Sequence, residues 1–456
     1  MKNTPTPMWS LTHTITVQQS TSKGLIVVWG NETRVNTNTT NDQASLSLRS
    51  RSDGSFVIAW HSNQTGDLDV YFKIFDSTGN NLTEDIRVNG NTSNNQANPS
   101  LSTRSNGSFV VAWDSNQTGN ADVYFKLFNS AGDNTTDDVR VNGYTANRQN
   151  FASVYCFDND GFVVAWEGAG QIDDDSVYIK VFDSTGNNLT DDIQVNTETA
   201  FEQENANVCC VGNESFVVVW DNQDVYNWWD VYFKIFDSSG NNQTNDILAP
   251  VNIEYSQNHA TVYCFSNGAF VMAWESPDGS AEGVYTRLFN SAGNALTGDI
   301  QVNTYTSAHQ RMPSVCCFSN NSGYIVVWSS WLQEGYGEAN DGIYCRVFNS
   351  MGQSFTDEVH VNEYINDRQE YPSVQCLENG SFVVAWESLG QDGSGLGVYF
   401  RVGNLSSASI SPLPLLAMVL GQSGTGLSLP LLIGGGLLAA VVVLGTIVFL
   451  RSRRGT

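Results

Sequence analysis

Four of the twelve tryptophans, Trp9, Trp228, Trp229 and Trp331, fall outside the spacing that the other eight obey. Trp228 and Trp229 sit in DNQDVYNWWD (221–230) beside Tyr226, and Trp331 sits in SSWLQEGYGEANDG (329–342) with Tyr336. Aromatic rings not committed to packing suit stacking on a sugar ring or anchoring a protein partner. Tyr226, Trp228, Trp229, Trp331 and Tyr336 are therefore the candidate binding residues. The plainer reading is that these rings fold over neighbouring loops. Carboxylates share the same kind of segment: Asp173, Asp174, Asp175, Asp224, Asp230, Glu334, Glu338, Asp341 and Asp392. With backbone carbonyls they are the ligand type that Ca²⁺ takes, but no D-x-[DN]-x-[DN]-G loop with its distant Glu occurs. No metal or other cofactor is expected, with Ca²⁺ the one ion this composition would suit.

The elements that must carry these loops are written in a repeat. GSFVVAW at 107–113 recurs as GSFVIAW (54–60), GFVVAW (161–166), ESFVVVW (214–220), GAFVMAW (268–274), GYIVVW (323–328) and GSFVVAW (380–386), with a degenerate GLIVVW at 24–29. From Trp60 the repeat tryptophans fall at 113, 166, 220, 274, 328 and 386, steps of 53, 53, 54, 54, 54 and 58. Each copy holds four short runs rich in Val, Ile, Phe, Tyr and Trp between turn residues, and such runs read as strands. Asn-Gly or Asp-Gly pairs such as Asp53-Gly54 and Asn106-Gly107 supply the positive φ of a tight hairpin. Phe109–Trp113 is apolar on both faces, so it must be covered on both. A four-stranded antiparallel blade between two neighbours meets that demand at this repeat length, which predicts an all-β β-propeller.

Six complete copies run from Gln43 to Asn362, and a seventh, from Gln369 to Arg401, lacks its last strand. The orphan TRVN at 33–36 could close it, joining the chain ends so that no sheet edge is left free. Seven blades are favoured. Eight are the alternative, which would give GLIVVW a home. The expected organisation is an unstructured 1–11, a propeller over 12–401, a Ser/Gly/Pro stalk over 402–430, a transmembrane helix over 431–450 and a basic tail over 451–456.

The helix is expected because LLIGGGLLAAVVVLGTIVFL is 20 uncharged residues followed by Arg451, Arg453 and Arg454. At ~1.5 Å per residue it spans a bilayer core of ~30 Å, with the arginines cytoplasmic. A propeller outside the cell or in a lumen follows. The first 20 residues contain no apolar core of the kind a secretory signal needs, which suggests a truncated N-terminus. Taken literally it would make a tail-anchored protein with a cytoplasmic propeller. The net charge of −26 disfavours nucleic acid and anionic surfaces as partners.

N-x-S/T acceptors at Asn81, Asn134, Asn188 and Asn242 lie in turns between third and fourth strands. Asn106, Asn213, Asn320 and Asn379 lie between first and second strands, on the same face, called here the bottom. On the opposite, top face acceptors occur only early, at Asn31, Asn38, Asn63, Asn91 and Asn116, and between Gln149 and Arg401 there are none. Of eight cysteines, Cys156, Cys210, Cys264, Cys317 and Cys376 share one place in the repeat. Spaced one blade apart, they are expected to be too distant to pair and to act as small apolar fillers. Cys209, Cys316 and Cys345 are off that register and could be paired or reactive. The five histidines form no metal-spaced pair, and no G-x-S-x-G or H-E-x-x-H occurs.

WESLGQDGSGLGVYFRV (386–402) and FNSAGNALTGDIQVNTYTSAHQRMPSV (289–315) resemble a repeat of large bacterial surface and secreted, adhesin-like proteins. There it runs as VVAWxS…GVYxxxF…VNxxT…Q…PSV. The resemblance covers about 43–401 and implies a propeller-forming surface module, with no catalytic residue to carry over. The expected function is that of a membrane-anchored ectodomain, not an enzyme, that binds a protein or carbohydrate through its top face. A propeller glycoside hydrolase or lyase and a structural surface-coat protein are the alternatives.

Overall fold

The computed structural model describes residues 24–170, 175–212, 215–333 and 341–407, and every regular element among them is a β-strand. Six antiparallel four-stranded sheets follow one another along the chain as blades 1 to 6. Their inner strands are Gln43–Ser50, Gln96–Thr103, Gln149–Cys156, Gln203–Cys210, Asn258–Cys264 and Gln310–Cys317. The seventh blade takes Gln369–Cys376, Ser381–Leu389 and Leu396–Ser407 from the end of the chain. Thr33–Arg34 completes it, pairing Thr33 with Phe400 and Arg34 with Tyr399.

The propeller therefore has seven blades, closed by the orphan strand. GLIVVW also finds its place. Leu25–Trp29 pairs along Gly403–Ser407, the continuation of the last strand. This corrects one boundary, because residues 402–407 belong to the sheet and not to a stalk. Residues 1–11 and the segments 408–430, 431–450 and 451–456 lie outside the described residues.

The two-sided apolar strands behave as their composition demands. Phe109–Ser115 is buried along its whole length. The apolar side chains gather into clusters between blades, as where Val57, Ala59 and Phe72 of blade 1 meet Leu101, Phe109 and Val111 of blade 2. Trp60, Trp113, Trp166, Trp220, Trp274, Trp328 and Trp386 are each no more than 1% exposed. One buried cation per blade adds a directional bond across the interface. The Nζ of Lys73, Lys126 and Lys180 donates to the backbone carbonyls of Val35, Val88 and Val141 of the preceding blade, at 2.7, 2.6 and 2.8 Å. The same Nζ atoms also meet Asp85, Asp138 and Asp192 at 2.6, 2.6 and 2.7 Å.

Cysteine chemistry departs from expectation at one interface. Cys376, in the repeat register, forms a disulfide with Cys316, one residue off it, across a Cα–Cα distance of 6.0 Å. Inner strands of successive blades lie against one another around the axis, so they are close enough to pair. Side chains alternate faces along a strand, so the one-residue offset turns Cys316 toward blade 7, while Cys317 faces blade 5. The repeat cysteines Cys156 and Cys317 are buried as small fillers, and Cys210 and Cys264 half-buried.

Arg51, in the first-to-second turn of blade 1, donates to the carbonyl of Ser130 in the third-to-fourth turn of blade 2. Those two turn classes thus share the bottom face. Asn81, Asn106, Asn134, Asn188, Asn242, Asn320 and Asn379 are exposed there, and Asn213 lies outside the described residues. Removing residues 24–36 would leave the edge of Leu396–Ser407 unpaired and open the ring. The truncated chain is expected to lose its single cooperative thermal transition or to melt at least ~10 °C lower, read by circular dichroism.

Candidate functional site

The inner strands begin with Gln-x-X-[Pro/Ala/Leu]-[Ser/Thr/Asn], and each is interrupted at X by a bulge. The bulge residues are Ser45, Asn98, Phe151, Asn205, His259, Met312 and Tyr371, all with φ between 50° and 56°. A left-handed residue at a bulge re-aims its side chain out of the ladder. Here it points all seven toward the mouth of the central channel, a cavity of about 430 Å³ that they line. Backbone conformation is constant at this position while side-chain identity is not.

What holds the bulges is the residue after each blade tryptophan. Glu387 accepts the N–H of Ser45 at 2.6 Å, Asp114 that of Phe151 at 3.1 Å and Glu167 that of Asn205 at 2.6 Å. Asp221 accepts the N–H of His259 at 2.7 Å and Glu275 that of Met312 at 2.7 Å. His61 plays the same part for Asn98 through Nδ1, at 3.3 Å. These groups are buried between blades. Burial pushes Asp114 and Asp221 up to about 7, and Glu167 and Glu387 up to about 8, against the opposing pull of the backbone N–H bonds. Burial likewise lowers His61 to about 4. Their position and burial make them braces between blades. Among the described residues lining the channel there is no Asp or Glu, so no carboxylate pair of the glycosidase kind converges there.

Blade 6 breaks the pattern with Ser329 at the brace position. Beside it, at the interface with blade 7, lies a cavity of about 200 Å³ lined by His309, Arg311, Met312, Ser329, Trp331, Asp341, Arg368, Glu370 and Tyr371. Met312 and Tyr371 also line the channel, so the two spaces adjoin. Trp331, 39% exposed, has Arg311 over its ring at 5.9 Å and His309 at 5.3 Å. Glu282 fixes both, with Arg311 Nε at 2.5 Å and His309 Nδ1 at 2.7 Å. Burial and the adjacent Glu370 carboxylate push Asp341 up to about 8.

A second cluster sits on blade 4. Asp224 Oδ1 accepts the N–H groups of Tyr226 (2.7 Å) and Trp228 (3.0 Å), and Asn227 takes a left-handed φ of 61°. This turn lifts Tyr226 and Trp228 into solvent, 73% and 42% exposed. Trp228 lies between Tyr226, at 6.1 Å, and Tyr255 of the following loop, at 5.6 Å. Trp229 is half-buried in the third strand, paired with Gln223.

The sequence candidates thus divide. Tyr226 and Trp228 stack together, Trp331 stands on blade 6 in a separate cluster, Trp229 is half-buried at the start of a strand, and Tyr336 lies outside the described residues. Tyr255, His309, Arg311, Ser329, Asp341, Arg368, Glu370 and Tyr371 were not among the binding candidates, although Asp341 was noted among the loop acids. Asp224 is committed to the turn. Among the described residues no group of three or more His, Cys, Asp or Glu could hold a metal ion.

The braces predict an unusual pH dependence. Unfolded carboxyls ionise near pH 4, whereas four folded ones hold their protons until about pH 7 to 8. In that window the native state binds more protons than the unfolded state, so stability is greatest at the acid end and falls as pH rises. The melting temperature should drop by at least ~5 °C between about pH 5.5 and about pH 9. An Asp221→Asn/Glu387→Gln variant, which keeps the acceptor oxygens, should narrow that drop measurably in differential scanning calorimetry.

No protein-family model matches the chain, and no curated protein matches it. Among solved structures it is similar to a protein of unknown function from Dyadobacter fermentans, at 11% identity and a TM-score of 0.52, over 83% of this chain and 99% of that one. Weaker likenesses include the α-L-arabinanase of Penicillium chrysogenum, at 12% identity and a TM-score of 0.45, over 66% of this chain and 92% of the other. The GH93 α-L-arabinofuranosidase of Fusarium graminearum is 9% identical with a TM-score of 0.44, over 82% and 97%. At such identities the likeness is one of fold, and it says nothing of activity.

Proposed function

We propose that this chain is a cell-surface binding and adhesion module whose top face captures a protein or carbohydrate ligand. The observation that carries the reading is the exposed stack of Tyr226, Trp228 and Tyr255, with Val225 and Ile253 also exposed in the same two loops. Aromatic rings displayed in one patch by an ordered turn give large contact area at small entropic cost. A purely structural role would have no need to hold Trp228 in solvent.

Two further features support a surface location. The Cys316–Cys376 disulfide suits an oxidising compartment. The top loops between Gln149 and Arg401 carry no acceptor asparagine, whereas Asn188, Asn242, Asn320 and Asn379 of the same stretch are exposed on the bottom. The hydrolase alternative gains little from the geometry. Asp341 and Glu370 are within hydrogen-bonding reach of each other, whereas a glycosidase pair stands ~5–9 Å apart.

The test is a glycan array and a cell-surface protein pulldown with the full chain. Trp228→Ala is expected to weaken capture at least ~10-fold while the melting temperature stays within ~2 °C, because the ring is exposed. Equal capture by wild type and variant would remove the stack from the account.

A further inference from the structure

Six blade interfaces carry His, Asp or Glu after the blade tryptophan, and each of these side chains takes the N–H of the next bulge. At the interface of blades 6 and 7 the residue is Ser329, whose Oγ makes no hydrogen bond among the described residues and which is only 6% exposed. The volume that a longer side chain would occupy is open, and the 200 Å³ cavity lies there. Asp341, 4% exposed, lines the same cavity within hydrogen-bonding reach of Glu370. A buried hydroxyl left unsatisfied against a cavity is costly to a protein unless something fills it.

The wall chemistry selects the filler. Trp331 supplies an aromatic face, and Tyr371 and Met312 close the channel side. Arg311 is compensated by Glu282, and Arg368 lies 3.4 Å from Glu370, so among the described residues both arginines of the wall are paired. We propose that this cavity binds the ring of one neutral pyranose unit, its hydroxyls meeting Ser329 Oγ and the Asp341–Glu370 carboxyl pair and its apolar face against Trp331. The inference rests on the reading of the top face as a ligand-binding surface. It adds the ligand class and a pocket distinct from the Trp228 stack. A cationic ligand would meet two arginines, and an anionic one two carboxyls.

The test titrates the full chain with the methyl pyranosides of glucose, galactose, mannose and xylose, and with methyl glucuronide and methyl glucosaminide as charged arms, by saturation-transfer NMR. At least one neutral glycoside should bind with a dissociation constant of roughly 1 mM. Ser329→Glu, which restores the carboxylate of the other blades and fills the space, should weaken it at least tenfold with the fold retained. The smaller lesion Trp331→Ala should do the same if Ser329→Glu fails to fold. Binding of none of the neutral glycosides, binding of a charged one alone, or full binding by both variants would overturn the pocket. Ligand capture that still depends on Trp228 would then show that only the pocket fails. Loss of that dependence would mean that the reading of the face fails too.

A second inference rests on register alone. Cys209 and Cys264 occupy in blades 4 and 5 the positions that Cys316 and Cys376 occupy in blades 6 and 7. Cys209 pairs across its hairpin with Val217 as Cys316 does with Ile325, and Cys264 with Phe270 as Cys376 does with Phe382. The two thiols share one buried cluster. We infer that Cys209 and Cys264 form a second inter-blade disulfide in the mature protein. Each thiol would lose one proton and one electron, with a disulfide-class exchange partner reduced to two thiols. Alkylation of the denatured, unreduced full chain should modify four cysteines, and peptide mapping should recover the 209–264 link. Modification of six, with Cys209 and Cys264 among them, would overturn it.

Discussion

A blade that is apolar on both faces cannot stand at an open end, and the rest of this molecule follows from that constraint. Each sheet needs a neighbour on either side, so a row of such sheets is soluble only when the first meets the last. Here the meeting is a strand-level splice. Thr33–Arg34 and Leu25–Trp29 lie along Leu396–Ser407, so blade 7 is built from both chain ends. Closing the ring brings the inner strands together around a channel, and it gives every interface the same geometry. That sameness explains why Lys73, Lys126 and Lys180 can repeat the same reach to a neighbour's carbonyl, and why one-residue cysteine offsets become meaningful.

Closure also divides the residues into two economies. Side chains between blades are fixed by packing and by hydrogen bonds to a neighbour's backbone, so they recur. Side chains at the inner bulges and in the top loops are released from that duty. The bulge position shows the separation most plainly: the same left-handed backbone carries Ser, Asn, Phe, Asn, His, Met and Tyr around the ring. One rigid backbone thus presents seven different groups to the channel mouth, and only the brace behind each is held to an acceptor chemistry. Where that brace becomes Ser329, the interface opens instead of tightening.

The fold was legible in the sequence because its determinants are local and repeated. The tryptophan spacing, the two-sided strands and the Asn-Gly turns each announced a blade, and the orphan TRVN announced the closure. The exposure of Trp228 and Tyr226 was legible as well, since they broke the register. Trp229 opens the third strand of its blade and is half-buried there, a placement its neighbour's exposure did not announce. The cavity beside Ser329 was harder to see. Its signal is a column reading His61, Asp114, Glu167, Asp221, Glu275, Ser329 and Glu387, which has meaning only once the neighbouring bulge N–H is known to need an acceptor. Asp341 and Glu370 come from strands 29 residues apart in sequence, and no spacing rule joins them. The disulfide was missed for a similar reason. Distance around a ring was judged at the blade level, whereas inner strands nearly touch.

The central claim is that the scaffold is constant and the divergent top face of blades 4 to 7 meets the ligand. Hydrogen–deuterium exchange of the full chain, with and without the glycan or protein captured in screening, tests it most directly. The account predicts added protection in segments 224–229, 253–259, 309–312 and 329–332, with the bottom turns unchanged. Protection confined to bottom turns, such as 51–55 or 130–134, would contradict it.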